Sequence, residues 1–556
     1  MLTQIRGCRI IDPAAREADS TGDLWIRNEH LQDAPIGDEQ PDQIIDAQDC
    51  VAMAGGIDLH THIGGGKLTL ARLLLGDQMP PWCGAEPRTS EDPAESEFLP
   101  SASVTAQRYL DMGYTTCFEP AMIPCNARSA HAEMADVRGI DTGGYCLLGN
   151  DDVLLSLIAD GAEQAIINQY VAWMVAATRS IAVKVVNPGG IHAFKYNARA
   201  FDVDTPHPRF SITPGQIVRT LCRAVHEIGL VHPLHVHCSN LGVPGNIEST
   251  LATIRAADGY PIHLTHVQFH CYGSDGPHRI SSAAEALVSA MNQHRHVTVD
   301  IGQVQFGRTV TISADAMHQM ENSAFAKPRK SILVDIECEA GCGVVPFRYE
   351  QTQLVHCLQW AIGLELLLMI DDPSRVFLTT DHPNGGPFTA YPHLIRLLTD
   401  RSFRETAIAE IHPDAAASSS LVGIQREYTL PEIATMTRLA PARILGLTDR
   451  GHLQPGGIAD VALYTQQADH DRMFANPRMV LKRGSTVRNH QTSRYAVAAA
   501  DQTLTAAVDF DPSRLPDFRA RYSRHGSFEM DRLWIGDQEM SVIGSEVNAF
   551  PMAGRS

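Results

Sequence analysis

Lysine is scarce in this chain: six residues among 556, against thirty-nine arginines. No basic stretch offsets the net charge of −19, which argues against a nucleic-acid or anionic-membrane binder. An acidic ligand held by a few local arginines stays compatible with that balance. The segment MLTQIRGCRIIDP has no apolar h-region, and nowhere do eighteen apolar residues run together, so no signal peptide or membrane span is expected and a cytoplasmic protein is. Twelve cysteines are scattered without a CxxC pair. Cys338 and Cys342 in CEAGC lie nearest in sequence, alone a weak metal signal, and reduced thiols are expected. No GxGxxG opens a helix, which removes the dinucleotide-binding signature.

What is present is an ordinary globular composition, 44% hydrophobic and 20% charged, long enough for two or three domains. Residues 1–52 read as short strands with turns (QIRGCRIIDP, DLWIRNEHL, QIIDAQDCVAMAG), and the same texture returns over 448–500 in GHLQPGGIADVALYT and RMVLKRGSTVRNHQ. The two pieces are expected to pair into one small β-sandwich. Between them, over 53–447, apolar runs alternate with helix-length segments: TTCFEPAM, AVKVVN, LVHPLHVHCSN, PIHLTHVQF, HVTVDIGQV, RVFLTTDHP. Strands spaced by helices imply βα units and a parallel sheet, and their number predicts an α/β (β/α)₈ barrel. Residues 501–556, with Trp534, Phe528 and several arginines, have no clear periodicity and are expected to form an extension packed on a partner or on the barrel.

One of the few lysines sits where lysine is least at home. IAVKVVNPGG, residues 181–190, reads as a buried strand closed by a turn, with Lys184 in its middle. Polar residues gather at the ends of the other strands. GGIDLHTHIGGGK carries His60 and His62 two apart, on one face of an extended strand. LVHPLHVHCSN offers His232, His235 and His237, the last nearest the strand's C-terminal end, and PIHLTHVQFH offers His263, His266 and His270, with His266 at the matching place. VFLTTDHPNGG ends on Asp381 and His382. Singly, each histidine suits a hydrogen-bonded core position as well as a ligand position. Together they place HxH, Lys, His, His and Asp, in that order, where successive strands end, the face on which barrel enzymes build their sites. A lysine desolvated in such a strand has its neutral amine favoured. That amine can add carbon dioxide, and the resulting carbamate is a lengthened carboxylate able to bridge two metal ions.

The order HxH, Lys, His, His, Asp resembles the amidohydrolase superfamily with a carboxylated-lysine binuclear centre. AGGIDLHTHIGGGK, VKVVNPGG, HVHCSNLGVPGN and TTDHPNGGPFTAYPHLI are similar to one subunit of formylmethanofuran dehydrogenase, and to its counterpart in the bacterial formyltransferase/hydrolase complex. The resemblance runs through TRLAPARILGLTDRGHLQPGGIADVALY and covers residues 1 to about 465; the tail carries none of it. It implies metal ligands at His60, His62, Lys184 (as N6-carboxylysine), His237, His266 and Asp381, holding two divalent ions, most simply Zn²⁺. It implies hydrolysis, or the reverse condensation, of an N-formyl amide on a methanofuran-type furfurylamine carrier, with Asp381 moving a proton from water to the departing amine. Asn240, His382 and Asn384 are candidate substrate contacts, and Arg199 and Arg209 candidate contacts for a glutamyl tail on the carrier. The implied partners are the other subunits of such a complex.

Abundant arginine and alanine with little lysine is unlike the lysine- and glutamate-rich bias of hyperthermophile proteins, which favours the bacterial complex over the archaeal dehydrogenase. Three other readings compete: a hydrolase of cyclic amides of the dihydropyrimidine type, a stand-alone deformylase, and a non-catalytic scaffold protein. The complete ligand set weighs against the scaffold, and the NPGG and DHPNGGPFTAYP motifs weigh against the ring hydrolase.

Overall fold

The computed structural model describes residues 1–78, 98–198, 200–334, 342–492, 494–495, 501–526 and 529–552. Arg199, Cys338 and Phe528 lie outside them. Eight parallel strands follow one another in chain order: β1 Gly56–Asp58, β2 Tyr114–Met122, β3 Asp141–Leu148, β4 Ala182–Val186, β5 Leu234–His237, β6 Ile262–Leu264, β7 Val297–Asp300 and β8 Val376–Phe377. A parallel bridge between Thr61 and His382, reinforced by the His62 amide donating to the His382 carbonyl at 2.8 Å, joins the last strand to the first. This is the expected (β/α)₈ barrel. The strands are buried on both faces, which is why AVKVV reads as an unbroken apolar run rather than an alternation.

Helices cover the outside, and local chemistry sets their ends. Pro214–Ile228, between β4 and β5, starts on a Thr213/Gln216 capping box with proline at its first position and stops at Gly229 in the left-handed conformation. Leu354–Met369, between β7 and β8, is apolar almost all round and lies deep between neighbouring helices. Its Glu365 is buried against the Ser282 hydroxyl (2.5 Å) and the Ser420 amide, and burial pushes its carboxyl up to about 7. The folded chain thus holds this proton more tightly than the unfolded one, whose value is 4.5. The stability it contributes is present below about pH 4.5 and is lost as pH rises through about 7. Glu365→Gln is therefore expected to be more stable than wild type by about 1–2 kcal/mol at pH 8 and equal to it near pH 4.5, in paired thermal-unfolding scans. Equal stability at pH 8 would count against a strained carboxylate.

The two chain ends meet in one nine-stranded sheet. Leu2–Ile11 pairs with Asp19–Arg27, with Gln43–Asp46 and with Cys50–Ala54; the last pairs in turn with Val461–Thr465, which leads through Met479–Lys482 to Ser485–Asn489. The tail packs on the barrel. Its strand Gln502–Ala507 (β9) lies parallel to β3 at Thr142 and Gly143, where β4 has not yet begun, since β4 first pairs with β3 at Tyr145; Glu546–Pro551 (β10) then flanks β9. Gly143 is what admits it: a Cβ there would sit 2.8 Å from the Leu504 carbonyl oxygen and 2.7 Å from the Phe118 ring. Trp534 packs edge-on against Phe510. At the same end, Lys482 is buried between Asp141 (2.7 Å) and Asp460 (3.1 Å), and Asp141 also takes Arg450 (2.5 Å). One ionic cluster thus ties the end sheet to the barrel, and the Gln502 amide, donating to Asp141 at 2.9 Å, adds the tail.

The segment between β7 and Leu354–Met369 carries no signal in the sequence that announces its form. It folds into an antiparallel sheet of Gly307–Ser313, Cys342–Tyr349 and Ile332–Val334, with a short helix, Ala316–Asn322, laid against it. It stands over the C-terminal face of the barrel and walls the site below.

Candidate metal centre

Each expected ligand but one sits at or just beyond the C-terminal end of a barrel strand; Lys184 lies in the middle of β4, and all are buried. His60 and His62 follow β1, with Thr61 between them held by the Phe118 carbonyl of β2 and by the bridge to His382. The Oδ1 of Asp381 lies 2.9 Å from His60 Nε2 and 3.4 Å from His62 Nε2. Lys184 reaches in from β4, its Nζ 3.5 Å from His60 Nε2. His237, at the end of β5, and His266, just past β6, meet with ring centroids 4.6 Å apart and nearly perpendicular. His266 and Asp381 both hold left-handed backbone, φ 36° and 48°, unusual for such residues and typical of sites where aim outweighs local strain. Gly302, φ 66°, passes between them; a Cβ there would lie 2.4 Å from that of His266.

A small cavity of about 30 Å³ is bounded by His62, Lys184, His237, His266 and Asp381, among others. Lys67 of the GGGK run also lines it. Of the six lysines, three are buried, and they differ in an instructive way. Lys482 is neutralised by two carboxylates, whereas no described carboxylate comes within ion-pair distance of Lys184. Burial accordingly brings the Lys184 ammonium down to about 8, against the opposing pull of Asp381. Burial alone would raise the Asp381 carboxyl, but the imidazoles of His60 and His266 hold it well below the usual carboxylate range.

The residues fit divalent metal. Asp381 Oδ1 and His266 Nδ1 are buried without a hydrogen-bond partner among the described residues, an arrangement that costs free energy unless a cation or proton is supplied. His60, His62 and Asp381 converge as one possible donor set, and His237, His266 and His270 as another.

Behind these ligands stand residues that sequence reasoning does not single out. His62 Nδ1 lies 2.8 Å from Glu119 Oε1, and His60 Nδ1 lies 3.1 Å from Asp300 Oδ2. His237 Nε2 faces Asp315 Oδ2 at 3.7 Å. Glu119 and Asp300 each sit near the end of an apolar strand, in TTCFEPAM and HVTVDIGQV, and a carboxylate in that setting is the signal that was there to be read.

The candidate substrate contacts divide. Asn384 lines the small cavity and also a groove of about 830 Å³ that adjoins it; the two share Leu241 and Asn384. His382 is buried next to His62, its ring against Phe388, and its imidazole is pulled down to about 3 by burial and by His62. Asn240 turns its amide to Ser249 (2.9 Å) and does not line either cavity. Arg209 is ion-paired with Asp152 at 3.3 Å, donates to the Tyr196 hydroxyl at 2.5 Å, and is likewise absent from both linings.

Residues 43–488 match the amidohydrolase family. The chain belongs to the amidohydrolase family. It is 44% identical over 492 residues to FhcA of the formyltransferase/hydrolase complex Fhc of Methylorubrum extorquens, a match covering 88% of each chain. Protein FwdA of Methanocaldococcus jannaschii is 36% identical over 469 residues, covering 80% of this chain and 81% of that one. Among solved structures, the crystal structure of the FhcABCD complex from Methylorubrum extorquens with methylofuran contains a chain that superposes with a TM-score of 0.92 at 41% identity. That match covers 99% of this chain and 100% of the other, so this amidohydrolase carries the whole architecture of that protein, tail included. Among the described residues no helix is long and apolar enough to cross a membrane.

Proposed function

We propose that this amidohydrolase releases formate from an N-formyl amide on a methanofuran-type carrier, as the FhcA-type member of a formyltransferase/hydrolase complex in one-carbon metabolism. The observation that carries the reading is the convergence of His60, His62, Lys184, His237, His266 and Asp381 at one barrel mouth, in a chain 44% identical to FhcA. The lower identity to FwdA, 36%, and the arginine-rich composition both favour the bacterial complex over the archaeal dehydrogenase.

His60, His62 and Asp381 would hold one divalent ion, His237 and His266 a second, and the carbamate of Lys184 would span both. Imidazole and carboxylate donors suit zinc. When bound, such ions supply a water of lowered pKa and polarise the formyl oxygen. The remaining steps fall to the chain's own residues. The Lys184 amine, its charged form disfavoured by burial, can lose its proton and form the N–C bond to carbon dioxide. Asp381, whose Oδ1 faces both imidazoles of the HxH pair, would take a proton from the water on its other oxygen as the water oxygen bonds to the formyl carbon, and return it to the amine as the C–N bond breaks. Leu241 and Asn384 stand where the groove meets the ligands, so a formyl group would pass between them. The groove walls bear Phe269, Phe347 and Tyr349, apolar surface that suits a furan ring.

The assay that tests this is formate release from a formylated furfurylamine carrier by the assembled complex, before and after metal removal. Release that depends on metal, with no hydrolysis of hydantoin, is expected. Hydantoin turnover exceeding that of the formyl carrier would replace this reading with the cyclic-amide one. The same groove carries Arg329 and Arg348, which take over the role expected of Arg209 toward a glutamyl tail. Arg329→Gln is expected to raise KM for a tailed carrier about tenfold at unchanged kcat, while Arg209→Gln, whose guanidinium is engaged by Asp152, leaves KM as it was. The reverse pattern would return the tail to Arg209.

A further inference from the structure

We propose that three buried carboxylates, Glu119, Asp300 and Asp315, are positioning residues that fix which ring nitrogen each ligand imidazole presents, and that they divide the two ions between them. Glu119 serves the ion of the HxH pair, Asp315 serves the ion of His237 and His266, and Asp300 serves both. The inference rests on the binuclear reading above.

Glu119, on β2, takes His62 Nδ1 on Oε1 at 2.8 Å, while its Oε2 accepts the amides of Ile63 (2.9 Å) and Gly64 (3.3 Å). An ionised carboxylate only accepts, so the proton of His62 belongs on Nδ1 and the lone pair on Nε2, the atom that faces Asp381. Its hold extends to the backbone just past His62 but to no part of His237 or His266.

Asp300 ends β7 and is fully buried. Its Oδ2 lies 3.1 Å from His60 Nδ1 and 3.0 Å from His263 Nε2, which by the same logic leaves His60 Nε2 free to act as a ligand. His235 and His232 extend the array behind, His235 Nε2 lying 3.0 Å from His60 Nδ1 and His232 Nε2 3.0 Å from His235 Nδ1. The other oxygen of Asp300 accepts the His266 amide at 2.9 Å and the Thr379 hydroxyl at 2.9 Å. That amide contact pins the left-handed backbone from which the His266 ring is aimed. One carboxylate thus grips a ligand from each set.

Asp315 belongs to the β7 insertion. Its Oδ1 caps the helix Ala316–Asn322 by accepting the His318 amide at 3.4 Å. Its Oδ2 and His237 Nε2 are both buried without a hydrogen-bond partner among the described residues and face one another at 3.7 Å, with His318 Nε2 at the same distance from Oδ2. A proton on His237 Nε2 directed at Asp315 leaves Nδ1 as the donor to a metal. The insertion that walls the groove therefore also sets the orientation of a ligand.

Outer carboxylates of this kind characteristically change metal affinity by 10–100-fold when altered. The test is stepwise zinc affinity by competition with a chromophoric chelator, with His62→Ala and His237→Ala identifying which step belongs to which ion. Glu119→Gln is expected to weaken, by about 10–100-fold, the step that His62→Ala removes and to spare the other. Asp315→Asn should do the converse, with Asp315→Glu recovering most of the loss, and Asp300→Asn should weaken both. Thermal unfolding in excess zinc checks that each variant is folded; should Asp300→Asn fail that check, the opposed pair Glu119→Gln and Asp315→Asn decides alone. Affinities within twofold of wild type, or both variants weakening the same step, would overturn the assignment. Fewer than two zinc ions on the wild-type chain would instead remove the binuclear reading beneath it, a result visible before any variant is made.

Discussion

Lys184→Ala is expected to lose formyl hydrolysis by at least about 10³-fold, roughly 4 kcal/mol of transition-state stabilisation, and to lose bound metal with it. The contrast with Lys482 explains why the effect should be so large. Lys482 shares its burial with Asp141 and Asp460 and has an evident structural role, whereas Lys184 is equally buried with no carboxylate at ion-pair distance among the described residues. A buried ammonium without a carboxylate beside it is a poor way to stabilise a strand, and burial brings this one down to about 8. What Lys184 does have is position, since it lines the same cavity as both donor sets. As a carbamate it would contribute an anionic oxygen to each; as alanine it contributes none, and the imidazoles and a carboxylate are left around an unfilled gap. Metal content per chain by mass spectrometry, on protein prepared with bicarbonate, is the direct measurement. About two ions in wild type and fewer in the variant are expected, together with partial recovery of both metal and rate when a short carboxylate such as propionate is added. A variant that keeps two ions and wild-type turnover would show that Lys184 bridges nothing.

The candidate ligands were legible in the sequence for a structural reason. In a parallel barrel the strands are apolar on both faces, so a polar residue at the end of such a run stands out, and chain order repeats spatial order. His60, His62, His237, His266 and Asp381 stand at or beyond that boundary, while Lys184 stands out as the one polar residue inside AVKVV. The carboxylates behind them were harder to see. Glu119 and Asp300 lie inside segments that read plainly as strands, but one carboxylate in a strand shows no spacing that ties it to a histidine 57 or 240 positions away. Asp315 had still less signal, because an aspartate before a short helix reads as a cap, which it also is.

The pieces that escaped the sequence are those whose pairing is distant. QTLTAA, residues 502–507, is short and only half apolar, and nothing in it names Thr142 as its neighbour 361 positions earlier; the space for it exists only because β4 begins four residues further along than β3. The insertion after β7 is hidden because its strands pair with one another rather than continuing the barrel, so they break the strand–helix rhythm without substituting another. The end sheet, by contrast, was legible from two turn-rich textures, and the antiparallel match of Cys50–Ala54 with Val461–Thr465 is what joins them. Charge and proximity in sequence to Lys184 make Arg209 a candidate for the carrier's tail, and only the fold reveals that Asp152 already engages it.

Asp381→Asn should separate proton transfer from metal binding. Asparagine keeps an oxygen where Oδ1 now faces His60 and His62, so most of the metal should stay, in contrast to Lys184→Ala. It cannot accept a proton, and loss of a positioned general base typically lowers kcat by about 10²–10⁴-fold. KM should change little, because the groove walls are untouched. The pH profile carries the sharper information. Burial would raise the Asp381 carboxyl, but the His60 and His266 imidazoles hold it well below the usual carboxylate range, so it is ionised throughout the neutral region. The wild-type rate should accordingly show no acid limb from this group above about pH 4. In the variant, solvent hydroxide must do what the carboxylate did, and the residual rate should climb about tenfold for each unit of rising pH. A variant with two ions, a lowered kcat and that slope would place the proton on Asp381 in the wild type. A variant that turned over normally with an unchanged profile would move the base elsewhere, and His382, buried beside His62 and pulled down to about 3, would be the first group to examine.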